Sequence, residues 1–195
     1  TIFFFTVASN QEKSIVENQV NFIMVSRILE EKGVVEFIKA SKEVSKKIKN
    51  ISFTHVGGNP LPPRKLSSNL KKLIKDTNHI KFIGRRDDVY NILLEFDVLI
   101  LPSYNEGFSA AIMEALVSGL YVITTDVPGC RQSIENDFEG VLVKHKDIYS
   151  LQKSIESSYH NIEEIRNNAK KIREAALKKF DSIESQKKIK DFILS

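Results

Sequence analysis

Two carboxylates eight residues apart, Glu106 and Glu114, are the side chains of this sequence best placed by type and spacing to do chemistry. They lie in the run Pro102-Ser103-Tyr104-Asn105-Glu106-Gly107-Phe108-Ser109-Ala110-Ala111-Ile112-Met113-Glu114, directly after an apolar strand pattern at 98–101. On a helix advancing about 100° per residue, that spacing leaves the two groups about 80° apart around the axis, so both line one side of a crevice. The free amides of Gly107, Phe108 and Ser109 at the helix start point at the same space and offer anion binding. Charged acceptors suit ribose or sugar hydroxyls, while amides and cations hold a phosphate separately. A glutamate buried in an apolar helix is otherwise costly. With Ile112-Met113 before Glu114 and Ala115-Leu116 after it, a merely solvated Glu114 is the competing reading.

A second constellation follows the strand pattern at 22–25, where Arg27 ends the strand and Lys32 comes five residues later, just before a helix. A guanidinium fork, an ammonium and the positive end of a helix together favour a phosphate or diphosphate. The alternative is that both cations only pair with Glu30, Glu31 or Glu36. A third loop, Val56-Gly57-Gly58-Asn59-Pro60, lets backbone approach a ligand through Gly57 and Gly58, or simply makes a turn.

The elements that must position these loops alternate short apolar runs with longer helical patterns, the signature of repeated βαβ units. Strands are expected at 22–25, 51–56, 80–83, 98–101, 121–124 and 141–143. Most are apolar at every position, as in a parallel sheet covered on both faces. Helices are expected at 34–48, where Val34, Phe37, Ile38, Ser41, Val44 and Ile48 keep the helical period, and at 65–75, 88–96, 108–118 and 129–135. Helical stripes continue from 148 to 176, with a last short segment at 189–194. The expected fold is α/β: a doubly wound parallel sheet, Rossmann-like, flanked by helices and closed by C-terminal helices. Such sheets bind ligands beyond the carboxyl ends of their strands, where all three loops lie.

Composition sets the outer bounds. A chain of 195 residues, 42% hydrophobic and 28% charged, is long enough for one sizeable core and excludes collagen-like or wholly disordered material. No apolar run approaches the roughly 20 residues of a membrane span. The start has neither a basic region nor a long apolar stretch, so no secretory signal is expected. Thr1 in place of an initiator Met points to a processed or excised piece. The single cysteine, Cys130, excludes an internal disulfide and a cysteine zinc cluster, which fits a reducing, cytoplasmic setting. Residues 144–195 carry 12 of the 29 basic and 8 of the 25 acidic residues, so the net charge of +4 sits entirely in the tail. Such an excess is either a solvated face or a surface for an anionic partner.

Taken together, these residues resemble the retaining nucleotide-sugar glycosyltransferases of the GT-B fold, family 4 in particular, over 22–143. Glu106-Gly107-Phe108 through Glu114 looks like the family's E-x-seven-E motif, and Ser26-Arg27 through Lys32-Gly33 looks like its phosphate loop. Gly119-Leu120-Tyr121-Val122-Ile123 and Thr125-Asp126-Val127-Pro128-Gly129 support the likeness. The resemblance implies that Arg27 and Lys32 bind the donor diphosphate, that Glu114 holds the ribose hydroxyls, and that Glu106 with the Gly107 and Phe108 amides contacts the donor sugar. Arg27, Lys32 and Glu106 are then the catalytic residues, and Gly57, Gly58, Phe82, Arg85, Gly107, Phe108, Ser109 and Glu114 the donor-binding ones. Phe82-Ile83-Gly84-Arg85 would frame a uracil. Pro128-Gly129-Cys130-Arg131-Gln132 resembles members that build bacterial lipopolysaccharide, capsule and lipid-linked glycans, which implies a UDP-hexose or UDP-N-acetylhexosamine donor.

The resemblance implies no cofactor and no bound metal, since cations and a helix start supply the positive field at the leaving diphosphate. It covers only the donor-binding half of such enzymes, so residues 21–195 are expected to form that domain and 1–20 a linker or remnant. The acceptor-binding half would be absent and the isolated domain inactive in transfer. Asn59 departs from the acidic residue many relatives carry there. Three rivals compete with this function. Gly107-Phe108-Ser109-Ala110-Ala111 resembles a hydrolase nucleophile elbow, but it does not follow its strand at once and no histidine is placed as base. No P-loop motif occurs, and no nucleic-acid partner is indicated. A non-catalytic module docking on a partner domain or an anionic membrane through Lys170, Lys171, Arg173, Lys178 and Lys179 is the third, and peripheral contact at the inner membrane face fits the transferase reading too.

Overall fold

A computed structural model describes residues 19–58, 66–107 and 109–180. Six parallel strands, β1 (Val20–Val25), β2 (Ile51–Val56), β3 (Lys81–Phe82), β4 (Val98–Leu101), β5 (Tyr121–Thr125) and β6 (Gly140–Val143), form one sheet in the order β3-β2-β1-β4-β5-β6. The chain builds outward from β1 to β3 and then returns beside β1 to start again at β4. That reversal opens a crevice between the loops following β1 and β4, where doubly wound sheets take their ligands.

Among the described residues seven helices cover the sheet: α1 (Val34–Lys47), α2 (Ser68–Lys75), α3 (Val89–Leu93), α4 (Ala110–Val117), α5 (Pro128–Arg131), α6 (Ile148–His160) and α7 (Ile162–Lys179). A short 3-10 turn, Glu30–Lys32, precedes α1. All four residues of β4 are buried, as expected for a strand covered on both faces. Helix α1 turns Val34, Phe37, Ile38, Ser41 and Val44 inward, and Phe37 meets Phe53 edge-on while Phe53 stacks on Phe22. Helix α1 packs against α6, and α4 against α7.

The elements expected within the described residues are present, several of them shortened for local reasons. Helix α3 stops at Leu93 because Glu95 and Phe96 donate to carbonyls three residues back, tightening the last turn. Helix α5 starts at Pro128 and ends at Arg131, since the Glu139 carboxylate takes the amides of Glu135 and Asn136. The expected helix at 108–118 begins only at Ala110, because Ser109 has extended dihedrals. Glu106 is therefore outside the helix, and the 80° relation to Glu114 does not apply. Residues 1–18, Asn59, Phe108 and the expected segment at 189–194 lie outside the described residues.

The five basic residues named above for docking do not form one open face. Lys179, half-buried, donates to Glu139 and to the Ser133 carbonyl, Arg173 is half-buried against the Ser118 carbonyl, and Lys171 lies over the Phe138 ring. Only Lys170 and Lys178 stand exposed without such engagement. Among the described residues no helix is long and apolar enough to cross a membrane.

Helix α7 is fastened beneath the sheet by Arg166, which donates to both oxygens of the buried Asp97 and to the Gln19 carbonyl, while Asp97 also accepts the Asn21 amide. Removing the cation strands a buried carboxylate. Arg166→Ala is expected to lower unfolding stability by about 3 kcal/mol or more in urea titration, whereas Lys47→Ala, which breaks the exposed end of the Lys47–Glu156 pair, costs less than about 1 kcal/mol.

Candidate active site

The loops at the carboxyl ends of the strands are tied to one another by backbone. The Ser26 amide donates to Val56 at 3.0 Å, Ile28 to Gly58 at 3.0 Å, and Gly57 to Gly84 at 2.8 Å, joining the loops after β1, β2 and β3. Across the reversal, the Glu31 carbonyl accepts from the Tyr104 amide at 2.8 Å and from the Ser103 hydroxyl at 3.0 Å. The loop after β4 thus hangs on the 3-10 turn after β1.

Two glycines permit this approach. Gly33 has φ of +76° and packs on the Pro102 carbonyl, where any Cβ would collide. Gly129 packs in the same way on the carbonyls of Glu106 and Gly107. One glycine seats the turn carrying Lys32, and the other seats the loop carrying Glu106.

Lys32 and Glu106 meet as a result. Lys32 Nζ donates to Glu106 Oε1 at 2.6 Å, with side chains only 21% and 10% exposed. Pairing of Lys32 with its own loop's acids is not what the structure shows. Glu30 instead accepts from the Ser67 hydroxyl, and the buried Glu36 accepts from the Tyr104 hydroxyl at 2.7 Å. Arg27 stands exposed on the same loop and makes no ion pair among the described residues.

Glu114 lies on α4, largely buried, and among the described residues its carboxylate has no hydrogen-bond partner. Burial pushes its pKa up to about 7. A desolvated acceptor without a donor is suited to a ligand's hydroxyls. Gly107 is exposed with open space around its Cα, and Phe108 beside it is not among the described residues. Gly58 lies against Arg85 Cβ, and the exposed Arg85 reaches Asp87 at 3.5 Å. Phe82 packs its ring on His55 at 5.4 Å between centroids.

Among the described residues nothing assembles a hydrolytic nucleophile. Ser109 is buried with no side-chain hydrogen bond among the described residues. His55 is buried beside Ser26 and its pKa is pushed down to about 4 by desolvation, so it is neutral. His79 is held by Ser41 and the Ile38 carbonyl, and His145 and His160 are exposed. Glu36 and Tyr104, which tie α1 to the loop bearing Glu106, were not foreseen, because no spacing rule joins residues on different βαβ units.

A parallel sheet whose order reverses between β1 and β4, with an ion pair at that switch point, defines a doubly wound α/β domain. The family described as Glycosyl transferases group 1 matches residues 7–179, and the chain belongs to it. It is 29% identical over 168 residues to the N,N'-diacetylbacillosaminyl-diphospho-undecaprenol alpha-1,3-N-acetylgalactosaminyltransferase of Campylobacter jejuni, covering 86% of this chain and 43% of that protein. It is 32% identical over 136 residues to the UDP-Gal:alpha-D-GlcNAc-diphosphoundecaprenol alpha-1,3-galactosyltransferase of Escherichia coli, covering 69% of this chain and 35% of that protein. The chain therefore spans less than half the length of these relatives. Its fold matches that of Anabaena Alr3699/HepE in complex with UDP, with a TM-score of 0.75 at 21% identity over 89% of this chain and 48% of that one.

The desolvated Glu114 has a consequence for stability. Between pH 4.5, its ordinary value, and about 7 the unfolded chain has released this proton while the folded chain retains it. Folding then takes up a proton, so stability falls as pH rises through that window and stays lowered above it. Glu114→Gln is expected to unfold at higher urea than the wild type at pH 8, by about 2–3 kcal/mol, with the gap closing near pH 4.5.

Proposed function

We propose that this chain is the donor-binding domain of a retaining glycosyltransferase that moves a hexosyl or N-acetylhexosaminyl group from a UDP-sugar to a glycan or lipid-linked acceptor. The observation that carries the reading is the meeting of Lys32 and Glu106 across the β1/β4 switch point, at 2.6 Å. It sets a cation for phosphate beside an acceptor for sugar hydroxyls. Relatives named for UDP-galactose and for diphospho-undecaprenol acceptors, and fold neighbours described in complex with UDP, point the same way.

In this mechanism Arg27 and Lys32 neutralise the diphosphate, helped by the amides at the start of α4, and Glu114 accepts from the ribose hydroxyls. Glu106 accepts from the donor sugar. As the anomeric bond breaks, negative charge grows on the leaving diphosphate within reach of these fixed cations, and the barrier falls by electrostatic stabilisation. Their field takes the place of a metal ion. Phe82, Gly84 and Arg85 border the base, and Gly57 and Gly58 give the backbone access to the nucleotide. The acceptor is held by a domain outside these residues, and this chain by itself binds donor without turnover. The reaction takes place at the cytoplasmic face of a membrane when the acceptor is lipid-linked.

Calorimetric titration with UDP, GDP and ADP tests this reading. UDP is expected to bind most tightly, and Arg27→Ala or Lys32→Ala to weaken it by about 1.5–3 kcal/mol through loss of a charge-assisted phosphate contact. EDTA is expected to leave the affinity unchanged. Absence of nucleotide binding, or binding indifferent to both substitutions, contradicts the assignment.

A further inference from the structure

The arrangement around Lys32 implies more than a phosphate site. Among the described residues Lys32 has one polar side-chain partner, Glu106, and Glu106 has one, Lys32. Any phosphate that takes the ammonium must share or displace that carboxylate. The backbones on both sides are fixed by the Ser103 and Tyr104 bonds to Glu31 and by the Tyr104–Glu36 bond. Exchange must therefore run through side-chain rotation rather than loop opening.

We propose that Glu106 is a displaceable internal ligand of Lys32: it yields the ammonium to the diphosphate when an attached sugar satisfies the freed carboxylate, and reclaims it when the sugar has gone, expelling the nucleoside diphosphate. This rests on the donor-site reading above and adds to it a device for product release. A carboxylate only 10% exposed that loses its cation beside a polyanion is left desolvated and repelled. The hydroxyls of a donor sugar remedy this by donating to it, and the bare nucleoside diphosphate offers no such donors there. The wild-type site thus penalises product relative to donor, and product departure is a common limit on turnover.

Calorimetry with UDP and with the tightest-binding of UDP-glucose, UDP-galactose, UDP-N-acetylglucosamine and UDP-N-acetylgalactosamine separates the possibilities. Glu106→Gln is expected to bind UDP about fivefold or more tightly than the wild type, because a partly buried competitor for Lys32 has lost its charge. It is expected to bind the UDP-sugar no more tightly, so the preference for donor over product falls. Glu106→Ala provides the same reading if the glutamine variant does not fold. Unchanged or weaker UDP binding in Glu106→Gln, with Lys32→Ala still impaired, overturns this proposal and leaves the donor-site assignment standing. Failure of UDP to bind the wild type overturns both.

Discussion

The contact between the Lys32 ammonium and the Glu106 carboxylate sets the terms for the rest of the molecule. The two residues are 74 positions apart in sequence and come from loops on separate βαβ units. A charge-assisted bond at 2.6 Å forms only if both loops lie within reach of each other's side chains. The sheet order supplies the coarse placement by making β1 and β4 neighbours. Fine placement comes from the Glu31 carbonyl, the Glu36–Tyr104 bond, and two glycines that let backbone touch backbone.

Around that contact the ionisable groups divide into those already partnered and those left for a ligand. Asp97, Glu139 and Glu36 are buried and hydrogen-bonded, and they hold the scaffold. Glu114 and Arg27 are the exceptions: one is a desolvated acceptor, the other an exposed cation, and among the described residues neither has an ionic partner. A molecule that leaves a carboxylate desolvated with no hydrogen-bond partner among the described residues gives up stability there, as binding sites commonly do.

Much of this was legible in the chain. The β4 run Val98-Leu99-Ile100-Leu101 is apolar throughout, and only a strand buried on both faces uses such a pattern. The α1 stripe reads at once from its period. Lys32 and Glu106 could be placed at strand ends, and hence at the same edge of the sheet, from topology alone. Their contact could not be read, since it depends on Pro102 meeting Gly33 and on Glu106 and Gly107 meeting Gly129. The helical-wheel relation of Glu106 to Glu114 failed because Ser109 is extended, a local dihedral choice that tertiary contacts make. The engagement of Lys179 is hidden from the sequence for a related reason. Lysines at helical spacing look solvated until a buried acid such as Glu139 draws one inward.

The most direct test of the account follows the amide chemical shifts of the labelled chain during titration with UDP. Shifts confined to residues 26–33, 57–58, 84–85 and 103–114, the loops that meet at the β1/β4 switch point, are the predicted result. Shifts centred instead on the far end of the sheet, near Tyr121 and Asn161, would contradict it, because the nucleotide would then lie away from the Lys32–Glu106 contact.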